Sequence, residues 1–227
     1  MLKYQLHTFY PLRHVRKHLI NYCYVLIDEN SKHAICIDPA WEPASFARVF
    51  EHHHIKTVDV FLTHHHYDHV DLAQHFAETY DSSVYMHEEE ISFYQFSCKN
   101  LRAIKDETPL QMGSFLVHPI FTPGHTVGSL CYLVEGRLFT GDTLFNEGCG
   151  LCSGPGGDPS AMFDSLNRLK RLLQAGACVY PGHRYQSELG QPLSYLMQVN
   201  LYLHITDRQQ FIDFRMRKGQ KASFAFQ

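Results

Sequence analysis

The chain has 227 residues, 44% hydrophobic and 19% charged, figures that suit a globular protein with a sizeable core. Its formal charge of −3 offers no basic stripe for nucleic acid, and no window approaches the roughly 18 uncharged apolar residues of a membrane span. The N-terminus MLKYQLHTFYPLRHVRKH lacks the apolar run of a secretory signal, and seven scattered cysteines read as reduced thiols, so a cytoplasmic location with no nucleic-acid or membrane partner is expected.

In chain order, LINYCYVLIDENSKHAICIDPA predicts two strands around a polar turn over Asp28 to Lys32. PASFARVFEHHH places apolar residues at helical spacing behind Pro43, a good first-turn residue. It predicts a helix whose His52, His53 and His54 are solvated and favourable to the dipole at its C-terminal end. TVDVFLT predicts a short apolar strand, VDLAQHFAETY a helix and SSVYMH the next strand. MGSFLVHPIFT and GSLCYLVEGRLFTGD predict β-structure, the second broken at Glu135-Gly136. DPSAMFDSLNRLKRLL predicts the clearest helix, capped by Ser160, with Met162, Phe163, Leu166, Leu169, Leu172 and Leu173 as its apolar stripe. ACVYPGH predicts a strand that ends in a histidine, and from Ser187 the chain reads as helical up to the basic run FRMRKGQK. Strands in clusters with helices between them predict a layered α/β or α+β architecture, whose topology periodicity alone leaves open. Cys149 and Cys152 form a C-x-x-C in GCGLCSG; with no second pair and no helix to open, they read as thiols of a tight glycine-rich loop.

The anomalous quantity is histidine, at 17 residues. In THHHYDH, the residues His64, His66 and Asp68 stand two apart, so in extended chain they project to one side while His65 and Tyr67 point to the other. His69 turns in as the chain bends into its helix. Imidazoles with carboxylates suit zinc, iron or manganese. Four such donors are too many for one catalytic metal that keeps an open position, and two adjacent metals need more. FTPGHT, LFTGDT and VYPGHR supply His125, Asp142 and His183, each at the end of a strand with a glycine beside it that permits close approach of the backbone. A lone histidine at any of these places would be an ordinary core or surface residue, as His14, His33 and His87 are read to be. Seven donors in this order make a complete two-metal site.

THHHYDH, PGHT, GDTLF and YPGH resemble the ordered motifs of the metallo-β-lactamase superfamily, and their order and spacing are similar to its glyoxalase II branch, over about residues 18 to 185. The resemblance implies an α+β fold, a four-layer αββα sandwich with metals at one edge, here a catalytic domain over 1–186 with a short helical extension over 187–227 packed on it. It assigns His64, His66 and His125 to the first metal, Asp68, His69 and His183 to the second, and Asp142 as the bridge. Zn2+ is the expected ion, two per chain, with iron and manganese accepted by the same donors.

Two such metals share a water and lower its pKa, so the chemistry implied is hydrolysis of an activated acyl group by a metal-bridging hydroxide, oriented by Asp68. The resemblance favours a thioester. Glyoxalase II has a lysine after GCG, then an aromatic-Glu-Gly element for glutathione; this chain has Leu151 there, followed by a glycine-rich stretch. Tyr185, in GHRY, matches the glyoxalase pattern and is expected to line the leaving-group pocket. Arg215, Arg217 and Lys218 stand where that family binds substrate, and arginine suits a phosphate or carboxylate of the thiol carrier. HTFYPLRHVRKHLINYCYVLIDENSKHAICIDPAW together with EGCGLCSGPGG is also similar to the zinc-dependent hydrolases of bacterial polyketide biosynthesis. That similarity implies an acyl thioester on an acyl carrier protein, or a small acyl thioester, as substrate. Hydroxyacylglutathione hydrolysis is the alternative, and a single-iron persulfide dioxygenase or a lactonase are further ones. Retention of His69 and His183 argues for the dinuclear hydrolase.

Overall fold

Tyr22, Cys23, Tyr24, Val25, Leu26 and Ile27 are all 6% exposed or less, which requires a strand covered on both faces. The computed structural model, which describes residues 7–172, 176–220 and 226, supplies the two covers. The first half comprises β1 (Thr8–Arg16), β2 (Leu19–Asp28), β3 (His33–Ile37), α1 (Pro43–His53), β4 (Thr57–Phe61), α2 (Tyr67–Val70), α3 (Ala73–Thr79), β5 (Val84–His87), α4 (Glu88–Tyr94) and β6 (Leu101–Ile104). The second comprises β7 (Leu110–Met112), β8 (Phe115–Phe121), β9 (Leu130–Val134), β10 (Arg137–Gly141), α5 (Pro159–Leu172), β11 (Cys178–Pro181), β12 (Gln191–Pro192), α6 (Leu193–Val199), α7 (Leu201–His204) and α8 (Arg208–Arg215).

Each half builds one six-stranded sheet, in the orders β1-β2-β3-β4-β5-β6 and β12-β11-β10-β9-β8-β7. The pleat divides the side chains between three cores. Tyr22, Tyr24 and Leu26 meet Phe115, Tyr132 and Phe139 between the sheets. Cys23, Val25 and Ile27 face Phe46 of α1 and Phe76 of α3. On the far side, Leu138 and Val179 pack on Met162 and Leu166 of α5 and on Tyr202 and Phe211. Helices, sheet, sheet, helices is the αββα order. The segment from 187 adds β12 to the second sheet and puts Leu196, Tyr202 and Phe211 into the α5 core.

The hairpin β2–β3, the helix α1, the strand β4 and the break at Glu135-Gly136 lie where the pattern predicts them. Other elements differ for local reasons. The helix expected over VDLAQHFAETY begins only at Ala73, because the Leu72 N–H turns aside to donate to the Pro39 carbonyl at 3.1 Å, and a separate single turn before it, α2, carries Asp68 and His69. Asp158, not Ser160, caps α5: its Oδ1 accepts from the backbone N–H of Ser160 at 2.7 Å and of Ala161 at 3.2 Å. Leu173 of the expected stripe and Lys221 of the basic run lie outside the described residues. Strand β1 escapes the pattern because Pro11 reads as a breaker, yet an edge strand that pairs only with β2 tolerates it. His53 is not solvated: its ring pairs with Glu29 at 2.5 Å and with the Tyr10 hydroxyl at 2.6 Å. Among the described residues no helix is long and apolar enough to cross a membrane.

Candidate metal centre

Parallel strands place their carboxyl ends on one edge, and the ligand-bearing loops leave from there. Asp38 follows β3, THHHYDH follows β4, His125 sits in the β8–β9 loop, Asp142 follows β10 and His183 follows β11. Glycines let these loops close on one another. Gly141 holds φ +46° with Thr63 beneath it, and a Cβ on Gly182 would lie 2.5 Å from His69 Cε1 and 2.9 Å from Asp142 Oδ1.

All seven residues singled out by the motifs converge. His66 Nδ1 lies 3.0 Å from both His64 Nε2 and His125 Nε2. Beside this trio, Asp68 Oδ2 is 3.4 Å from His183 Nε2 and 3.9 Å from His69 Nε2. Asp142 stands between the groups: Oδ1 is 3.5 Å from the Nε2 atoms of His69 and His183, and Oδ2 is 3.7 Å from His125 Nε2. His69 Nε2 and Asp142 Oδ1 are buried without a hydrogen-bond partner among the described residues. Such orphaned atoms, aimed at a common centre, are what a cation would satisfy, so the donor set fits metal.

The outward ring nitrogens of four of the five histidines are held from behind, which fixes the face they turn to the centre. His69 Nδ1 pairs with Asp38 Oδ2 at 2.9 Å, His125 Nδ1 with the Leu151 carbonyl at 2.6 Å, His183 Nδ1 with the Ile20 carbonyl at 2.8 Å and His64 Nδ1 with Thr63 Oγ1 at 3.0 Å. Asp38 also accepts from the Thr63 backbone N–H at 2.7 Å and its hydroxyl at 2.6 Å. The motifs do not reveal Asp38; the only local signal is a lone carboxylate ending the apolar strand in ICIDPA. Nor do they reveal Glu90, which binds His65.

Burial, reinforced by the imidazoles of His69, His66 and His125, holds His64 well below its usual value. Burial and His125 lower His66 to about 4, against the pull of Asp142. Burial likewise lowers His125. At His69 burial works downward but the carboxylates of Asp68, Asp142 and Asp38 outweigh it and raise the ring to about 10. Burial pushes the Asp68 carboxyl up, but His69 and His183 prevail and hold it below the usual carboxylate range. The first trio is thus kept neutral, the form in which imidazole binds metal.

The signs give an expected pH profile for chelated protein. His64, His66 and His125 resist protons that the unfolded chain takes up below about pH 6.5, so each subtracts stability as the pH falls from there toward 4. The raised His69 contributes fully below about pH 6.5 and loses its contribution only as the pH rises through about 10. The Asp68 contribution persists until pH falls below the usual carboxylate range. The melting temperature of chelated protein should therefore fall between about pH 6.5 and 4, and less so in His66→Phe. A flat profile shared by both proteins contradicts this.

The sequence profile described as the metallo-beta-lactamase superfamily matches residues 17–183. The chain belongs to that superfamily. It is an enzyme, a metal-dependent hydrolase of the metallo-beta-lactamase fold. It is 42% identical, over 206 residues, to the probable polyketide biosynthesis zinc-dependent hydrolase BaeB of Bacillus velezensis, covering 91% of this chain and 92% of that one. It is 33% identical over 183 residues to the cytoplasmic hydroxyacylglutathione hydrolase of Saccharomyces cerevisiae, covering 74% of this chain and 65% of that one. The crystal structure of ETHE1 from Myxococcus xanthus superposes with a TM-score of 0.82 at 26% identity, over 96% of this chain and 98% of that one.

The superfamily site opens here into a cleft of about 890 Å³. Tyr185 lines it, its ring 5.5 Å from Phe145 and 5.1 Å from Phe226, and Phe226 stacks on His183 at 4.0 Å. Burial pushes the Tyr185 hydroxyl well up. Of the basic run, Arg217 lines the cleft, exposed, with its guanidinium 4.0 Å over the Phe214 ring, and Lys218 is exposed. Arg215 lines the cleft too but is only 4% exposed: it donates to the Cys149 carbonyl at 3.0 Å, the Tyr202 hydroxyl at 3.1 Å and Gln220 Oε1 at 2.6 Å. These bonds make it a post that ties α8 to the GCG loop. Cys149 and Cys152 are buried free thiols in that loop, and burial raises both.

Proposed function

We propose that the protein is a dinuclear zinc hydrolase of acyl thioesters that serves polyketide biosynthesis, with an acyl carrier protein or a small acyl thioester as substrate. The observation that carries this reading is Asp142, whose two oxygens face two separate groups of histidine and aspartate donors. His64, His66 and His125 would hold one ion, Asp68, His69 and His183 the other, with Asp142 bridging. The names of the relatives support zinc, hydrolysis and a thioester. Seven free cysteines suit the cytoplasm.

When bound, two such ions supply Lewis acidity and a water of lowered pKa. The chain contributes the rest. Asp68, kept anionic by His69 and His183, would orient the attacking water through a carboxylate oxygen. Asp38 holds the His69 ring so that its Nε2 stays turned to the centre. A thiol of pKa near 8.5 leaves as thiolate without a delivered proton, so the aromatic wall of Tyr185, Phe145 and Phe226 has only to pack on it and exclude water. Arg217 and Lys218 stand exposed at or near the cleft for an anionic group of the carrier.

Turnover of acyl-carrier-protein, acyl-CoA and lactoylglutathione thioesters, followed by free thiol, tests the reading. Pantetheine thioesters should lead; a preference for lactoylglutathione by orders of magnitude makes the protein a hydroxyacylglutathione hydrolase instead. Oxygen uptake with a glutathione persulfide, or faster opening of a homoserine lactone, would overturn thioester hydrolysis altogether. Leu151 lines the cleft where the glutathione enzymes carry lysine. Leu151→Lys is expected to raise kcat/KM for lactoylglutathione about tenfold, the worth of one charge-assisted contact, while turnover of the uncharged acyl part stays the same.

A further inference from the structure

The structure assigns to Glu90 the task of holding together the two loops that carry His64, His66 and His125, as a positioning residue of the metal centre. The proposal rests on the reading of those three histidines as ligands of one ion. Glu90 lies in the first turn of α4, outside the metal-binding motifs, and is fully buried. Its Oε1 accepts from the backbone N–H of His65 at 2.8 Å and lies 2.7 Å from His65 Nδ1. Its Oε2 accepts from the backbone N–H of Gly128 at 2.8 Å. His65 sits between His64 and His66; Gly128 closes the turn that begins at His125. One side chain therefore bonds the backbone of both loops.

Three further contacts show that this junction is built. A Cβ on Gly128 would lie 2.3 Å from the Glu90 backbone nitrogen, so α4 rests directly on the His125 loop. Tyr94, four residues on and on the same face of α4, stacks on the His65 ring at 3.5 Å and 12°. Its hydroxyl donates to the Pro155 carbonyl at 2.6 Å, in the glycine-rich loop that follows the cleft wall. With His65 drawn toward α4, the alternation of the chain turns His64 and His66 the other way, to the centre. A carboxylate is needed because the two loops present donors to both oxygens; an amide would set its own N–H₂ against one of them.

Glu90→Gln keeps the volume and removes one acceptor. It is expected to weaken zinc held by His64, His66 and His125 about 10- to 100-fold in chelator competition, the range for losing a group that orients ligands, and to change the cobalt spectrum of that site. It should also shrink the gap in melting temperature between zinc-loaded and chelated protein. Glu88→Gln, exposed on the same helix, should do neither. Equal loss of melting temperature in both forms, with zinc affinity as in the unaltered protein, overturns the proposal and makes Glu90 a packing residue. If Glu90→Gln yields no folded protein, His65→Ala gives the same reading with smaller amplitude, and unchanged zinc affinity there overturns it too. Failure of the dinuclear reading is a different result: the unaltered protein itself then holds fewer than two ions.

Discussion

Asp142→Ala is expected to lower kcat/KM for the best thioester by about a thousandfold or more, and to reduce the bound zinc from two ions toward one. Both Asp142 oxygens face donor groups, Oδ1 toward His69 and His183 and Oδ2 toward His125. Its removal leaves each group one donor short and leaves His69 Nε2, already without a hydrogen-bond partner, facing a hole. Stabilisation of transition-state charge by a metal pair is worth several kcal/mol, and about 4 kcal/mol corresponds to three decades in rate. Asp142→Asn retains one acceptor and should lose less. Full activity in Asp142→Ala with two ions retained would remove the bridge from the mechanism. Far-ultraviolet circular dichroism should remain that of the unaltered protein, because Asp142 lies in a loop past β10, outside the helices and strands.

Asp38→Ala is expected to have the second largest effect, and on stability as much as on rate. Asp38 is 3% exposed, sits at φ +49° and accepts from Thr63 twice and from His69 once. Alanine leaves three buried donors unsatisfied and leaves the raised His69 without one of the carboxylates that support it. Removing one partner of a buried pair costs about 3–5 kcal/mol, and for a chain of this length the melting temperature should fall on the order of 10 °C. Asp38→Asn keeps one acceptor and should fall between. The check is calorimetry of the chelated proteins, where metal binding cannot mask the difference; a loss within the error of the measurement would contradict the assignment. Zinc affinity should drop as well, because His69 loses the bond that orients it.

The chain on its own points to the candidate donor set and determines most of the strands. H-x-H-x-D-H and three glycine-flanked donors are local patterns, and the steric demand for glycine at 141 and 182 is written next to the ligands themselves. Alternating or continuous burial marks β2, β3 and β4, since the pleat translates directly into residue type. Other features depend on partners far away in sequence. That His53 is paired rather than solvated follows from Glu29 and Tyr10, brought alongside by the β1–β2 sheet. That Arg215 is a nearly buried post in the cleft wall while Arg217 is exposed there follows from Cys149 and Tyr202, which no spacing in FRMRKGQK reveals. Asp38 and Glu90 read as an ordinary strand-end and an ordinary helix-start carboxylate. Only the meeting of the loops at one sheet edge turns them toward His69, His65 and Gly128. The choice of candidate donors is a property of residue type and local backbone and so is legible in one dimension; orientation of those donors is made by hydrogen bonds across dozens of residues, and only the folded chain decides it.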